Sequence, residues 1–186
     1  MGHCRSVDRA LVTVLAMRLS GGSDAPSVPQ STGAVSGGMG RTDISQMTPE
    51  QRANRLFDRV MRHSEAGQQD SVGFFLPMAL QAHRMLPDLS VDSRFHLGLL
   101  HLAGEDPAGA LAQADTIQRA EPAHLFIHVL RARALEQQGD NAGARRAYAE
   151  YLRGEAAERA KQRPEYVDHT TTLDLFRDEA RGGTTR

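Results

Sequence analysis

Residues 95–123 read FHLGLLHLAGEDPAGALAQADTIQRAEPA, and residues 131–152 read RARALEQQGDNAGARRAYAEYL. Laid over each other at a spacing of 34, residues 91–124 and 125–158 pair Asp106 with Asp140, Gly109 with Gly143, Ala110 with Ala144 and Glu121 with Glu155. A fixed period of that size marks a repeat architecture, in which each unit is a supersecondary element that buries its apolar face only against a neighbouring unit. Two helices crossing about 8 to 10 Å apart need a side chain no larger than a methyl where they touch. Gly98 with Ala110, and Ala132 with Ala144, are expected to supply that contact. Phe95, Leu99, Leu102, Leu111, Ile117 and Tyr148 are then the side chains that fill the space between hairpins, each contributing roughly 1.5 to 3 kcal/mol when fully buried.

The flanking sequence punctuates helices on both sides. Thr48, Pro49, Glu50 and Gln51 form a capping box, and Ala53, Leu56, Phe57, Val60 and Met61 then make one apolar stripe that closes at Gly67. Residues 70–86 are apolar around most of their circumference, which predicts a sandwiched helix, with a kink at Pro77. Further helices are predicted over 91–103, 107–120, 124–138, 141–162 and 170–181, the last stopped by Gly182 and Gly183. Short connections make neighbours antiparallel.

The pair of units resembles the tetratricopeptide repeat. The first carries it at Leu97-Gly98, Ala110 and Pro122; the second at Ala132, the Gly139-Asp140 turn, Ala144 and Tyr148. Arg131, Ile117 and Tyr151 depart from the pattern, and residues 53–90 read as a more divergent unit of 38 residues, four longer than standard. The resemblance implies an all-α fold over 47–181: a right-handed stack of antiparallel helical hairpins, about three repeats closed by a capping helix with Leu173, Phe176 and Ala180 as its stripe. It also implies a concave groove, lined by the first helix of each hairpin, that takes an extended or helical peptide. Asp92, Phe95, Leu99 and Leu102 from one unit, with Phe126, Val129, Arg133 and Glu136 from the next, are the residues expected there. The same positions can equally serve packing between neighbouring helices. The Lys and Asn pattern of carboxylate-clamping repeats is missing, so that specificity does not carry over.

Composition narrows the partner. The 186 residues carry a formal net charge of −1, which gives no field to concentrate nucleic acid. Arg131, Arg133, Arg145, Arg146, Arg153 and Arg159 alternate with Glu136, Glu150, Glu155 and Glu158 at helical spacing, as on a solvated, salt-bridged face. Residues 1–19 hold an eight-residue apolar run, Ala10 to Met17, behind Arg5 and Arg9. That run reads as a weak signal or as a poorly ordered leader, and is too short to span a bilayer. Residues 20–46 form a linker; between Ser20 and Gly40, 13 of 21 residues are Gly, Ser or Pro, a composition suited to a tether or to a disordered leader. Residues 182–186 are a tail. Export or membrane tethering through the N-terminus and a cytoplasmic location both stay open.

Little in the sequence points to catalysis, and no cofactor is expected. The single cysteine, Cys4, excludes a disulfide framework, and SGGMGRT lacks the ending of a phosphate-binding loop. His124 and His128, four apart, form the one candidate metal pair, with His96 or His101 as a third ligand. Polar histidines on two adjacent helices are the simpler reading. The expectation is a non-enzymatic module that binds another protein or peptide. A metal-dependent enzyme using the central histidines and a structural homodimer are the alternatives.

Overall fold

The computed structural model describes residues 47–183, and within them the fold is all-α. The readings of residues 1–46 and 184–186 lie outside the described residues. Eight helices follow one another: α1 (Pro49–Glu65), α2 (Gln69–Arg84), α3 (Val91–Ala103), α4 (Pro107–Ala120), α5 (Leu125–Gln137), α6 (Asn141–Arg159), α7 (Pro164–Asp168) and α8 (Thr170–Gly183). Helices α1 to α6 pack as consecutive pairs, and the first helices of successive pairs also touch, α1 on α3 and α3 on α5. The architecture is helical and repeat-like. None of the described helices is long and apolar enough to cross a membrane.

The helix starts are built by the caps the sequence carries. At Thr48 the capping box is complete: its hydroxyl accepts the Gln51 N–H at 3.2 Å, and the Gln51 side chain accepts the Thr48 N–H at 3.0 Å. Asp106 accepts the Gly109 N–H at 2.9 Å and Asp140 accepts the Gly143 N–H at 2.8 Å, so the same bond recurs 34 residues later. The helix ends differ in one informative way. Gly139 follows α5 with φ of 78°, and its counterpart after α3 is Glu105, held at φ of 56°. A residue with a Cβ pays about 1 to 2 kcal/mol in that region, and glycine does not.

Packing forms two apolar clusters. Phe57, Val60, Val72, Ala79 and Leu100 make the smaller, and the larger runs from Phe95 through α4, α5 and α6 to Leu173, Phe176 and Ala180 of α8. Leu99 packs against both. Gly98 does fit a close approach, and the nearest atoms to it are those of Leu130 of the next hairpin: a Cβ there would lie 2.6 Å from the Leu130 methyls. The small residue sets the spacing between hairpins.

Two expectations need correction. Helix α2 runs unbroken through Pro77, but it is not sandwiched, because Phe74, Met78 and Met85 are exposed. Helix α6 stops at Arg159 rather than near residue 162. The chain turns at Gln162 with φ of 51°, and Pro164 opens the short α7. Buried Glu158 anchors this turn through an ion pair with Lys161 and by accepting from the Tyr166 hydroxyl at 3.2 Å.

Gly98→Leu is expected to lower stability by about 1 to 3 kcal/mol through overpacking against Leu130. Combining it with Leu130→Ala should restore part of that loss, and strictly additive losses in urea unfolding would contradict the contact. Glu105→Gly is expected to raise stability by about 0.5 to 1 kcal/mol, read as a higher urea midpoint; a lower midpoint would show that Glu105 is unstrained.

Candidate functional site

The expected groove is filled by the chain's own C-terminal segment. Phe95 of α3 and Phe126 of α5 stack with ring centroids 3.8 Å apart, and both are fully buried. His169, at the junction of α7 and α8, stands edge-on to both, 5.1 Å from Phe95 and 5.3 Å from Phe126. Tyr166 meets Phe126 edge-on at 5.7 Å, and its hydroxyl accepts the Leu125 N–H at 2.9 Å. Leu102 and Val129 are buried and Leu99 is half-buried, so the apolar members of the expected groove serve the core.

The polar members are bonded within the chain as well. Arg133 makes a two-pronged pair with Glu179 of α8, with one N–H donating at 2.9 Å, and lies over the Phe176 ring at 5.6 Å. Glu136 accepts from the Tyr148 hydroxyl at 2.6 Å. Asp92 accepts from His169 Nε2 at 2.9 Å. The apolar stripe of α8 is covered by α6, where Phe176 packs against Tyr148 and Tyr151 and the Tyr151 hydroxyl donates to the Leu173 carbonyl at 2.8 Å, while α7 brings His169 onto Phe95 and Phe126. All eight residues expected in the groove make contacts within the chain.

Where α1, α2, α3 and the α7–α8 junction meet, polar groups converge. Asp92 and His96 lie one turn apart on α3, and Ser90 caps that helix by accepting the Ser93 N–H. His96 Nε2 is 3.2 Å from His169 Nε2 and 3.8 Å from Asp92 Oδ1. The His96 ring stacks on Phe57 of α1 at 4.0 Å, and His83 of α2 stands edge-on to it at 6.0 Å. His83 Nδ1 donates to the Ala79 carbonyl at 3.0 Å, which leaves its Nε2 with a lone pair; that atom and His96 Nδ1 are buried without a hydrogen-bond partner.

Burial pushes the His96 imidazole down to about 4, against the pull of Asp92 and with a smaller push from His169 and His83. Burial opposes ionisation of Asp92, but the hydrogen bond from His169 and the surrounding imidazoles hold its carboxyl below the usual range. His169 Nε2 lies within hydrogen-bonding reach of both Asp92 Oδ1, at 2.9 Å, and His96 Nε2, at 3.2 Å. Asp92, His96 and His169 are the described Asp, Glu, Cys and His side chains that meet closely enough to share an ion.

The histidine pair expected from sequence does not converge. His124 is the N-cap of α5, not a residue of its face: Nδ1 accepts the Phe126 N–H at 3.3 Å and Nε2 lies 3.2 Å from Glu165. His128 faces another cavity, of about 640 Å³, beside Arg131, Glu150 and Arg153. His101 bonds Asp106 at 2.8 Å, and only His96 of the expected third ligands belongs to a cluster. The arginines are largely paired, Arg131 with Asp115, Arg153 with Glu150 and Arg159 with Glu155 and Asp174, which fits a salt-bridged face. His169 and Tyr166 were missed because their partners are 41 to 77 residues away in sequence and no local pattern marks them.

A second feature lies on the outer side of α2. Phe74 and Met85 are 68% and 70% exposed, and Met78 is 40% exposed. Met78 and Met85, with Pro49, Arg52, Leu56, Pro77, Gln81 and Ala82, line a groove of about 560 Å³, and Phe74 lies outside it.

Burial pushes His124 below its ordinary value of 6.5, outweighing the opposite pull of Glu165 and Glu121. As pH falls through about 6.5, the unfolded chain takes up a proton here before the folded one, so stability present above that pH declines below it. His124→Asn keeps a capping acceptor for Phe126 without a titrating group. The melting temperature of the unmodified chain is expected to fall more between about pH 7.5 and about pH 5 than that of the variant; equal falls would remove His124 from the acid response.

A scan against protein-family models finds no match to the chain, and searches of curated proteins and of solved structures find none either, so no relative's chemistry transfers to these residues.

Proposed function

We propose that the chain is a non-enzymatic protein-interaction module, a degenerate tetratricopeptide-type stack whose partner docks on the outer face of the first hairpin. The repeat reading is supported by the recurrence of helix starts, Val91 and Leu125 for α3 and α5, and Pro107 and Asn141 for α4 and α6. Both pairs are 34 residues apart, the period of that repeat.

The observation that carries the reading is the exposed strip Phe74, Met78 and Met85. Two large apolar side chains on α2 and a third at its C-cap, two of them lining a groove with residues of α1, are the kind of surface that takes the apolar face of a helix or an extended segment. Methionine fits such a role because its unbranched chain adapts to the shape of what it meets. Arg52 and Gln81 at the rim supply polar groups that orient the bound segment. The residues such stacks commonly use include Phe95 and Phe126, which are buried against His169 and Tyr166, and this favours the α2 strip as the partner site.

Phe74→Ser combined with Met85→Ser removes the strip while leaving the buried Val72 and Ala79 in place. Proteins captured from a lysate of the source cells by the unmodified chain are expected to be lost by about tenfold or more with the double variant, and retained with His128→Ala. Equal capture by the double variant would contradict the assignment. A dimer in light scattering that becomes a monomer in the double variant would assign the strip to self-association instead.

A further inference from the structure

We propose that Asp92, His96 and His169 bind a divalent transition-metal ion of the zinc class, and that the ion fastens the start of α8 onto α3. The three ligand atoms, Asp92 Oδ1, His96 Nε2 and His169 Nε2, are separated by 2.9, 3.2 and 3.8 Å. Bonds of about 2.0 to 2.1 Å arranged tetrahedrally place neighbouring ligand atoms about 3.3 Å apart. The observed triangle has that size, so an ion enters with small side-chain adjustments.

The donor set suits the ion. Two imidazole nitrogens and one carboxylate oxygen match borderline cations such as Zn²⁺ and Co²⁺, and are poorly matched to Ca²⁺, which favours an all-oxygen shell. Two ligands are already one helical turn apart on α3, and the third is delivered by the α7–α8 junction. The His96 ring is clamped against Phe57, which fixes its direction. A cavity of about 430 Å³, lined by Phe57, Asp58, Met61, Arg62, Glu65, His169 and Thr172, adjoins the cluster and leaves room for water as a fourth ligand.

The hydrogen bonding in the cluster points the same way. Asp92 Oδ1, His96 Nε2 and His169 Nε2 converge on one point, and each imidazole can present its Nε2 lone pair there as the Nδ1–H tautomer. A cation at that point is ligated by all three atoms at once. Because His169 lies 77 residues after Asp92, the ion closes a long loop, and it holds His169 in place over Phe95 and Phe126.

The test uses the full chain with His3→Ala and Cys4→Ser, which removes competing N-terminal ligands, after treatment with a chelator. Titration with Co²⁺ and Zn²⁺ is expected to show one ion per chain with a dissociation constant below about 10 μM, visible Co²⁺ absorption of a four- or five-coordinate site, and a raised melting temperature. Asp92→Asn and His169→Gln, each checked for folding by circular dichroism, should weaken binding by about tenfold or more, while His128→Ala leaves it unchanged. Absence of stoichiometric Co²⁺ and Zn²⁺ binding by the unmodified cluster would overturn the proposal whatever the variants do. Binding of unchanged strength in Asp92→Asn and His169→Gln would overturn it too, by placing the ion elsewhere.

Discussion

The stacked rings of Phe95 and Phe126 are the contact on which the rest of the molecule depends. They join α3 to α5, and they are buried because His169 and Tyr166 stand edge-on against them. Aromatic pairs of this geometry contribute about 0.5 to 1.5 kcal/mol beyond the area they bury. Their larger effect is organisational. Covering them brings the C-terminal segment back onto α3 and α5, and that return delivers His169 to Asp92 and His96 and Glu179 to Arg133. The surface expected to receive a partner becomes part of the core, and the exposed apolar surface is left on α2.

Much of the fold was legible because its signals are local. Thr48, Asp106 and Asp140 each cap a helix by bonding a backbone N–H three residues on, and a three-residue relation is visible in sequence. The 34-residue spacing needed only residue identity. The fate of Gly98 was half legible: its smallness signalled a close approach, but the choice between Ala110 and Leu130 depends on how hairpins are offset, which spacing does not encode.

The site was less legible. His124 and His128 satisfy a helical interval, but the interval has meaning only if both lie inside the helix, and His124 is spent as its cap. Asp92 was expected in a peptide groove, and its bond to His169, 77 residues later, has no local signal in the sequence. The turn that creates the cluster falls between Arg159 and Thr170, a polar stretch without periodicity, where positive φ at Gln162 and the buried carboxylate of Glu158 fix the path. An apolar circumference likewise identified α2 as a helix without showing that Phe74 and Met85 stay uncovered.

The burial of the Phe95–Phe126 stack beneath His169 is tested most directly by aromatic nuclear Overhauser spectroscopy on the full chain. Cross-peaks are predicted from the His169 ring to the rings of both Phe95 and Phe126, which lie 5.1 and 5.3 Å away between centroids. If His169 shows contacts to neither ring while Phe95 and Phe126 still see each other, the stack stands uncovered, and its burial beneath the C-terminal segment is contradicted.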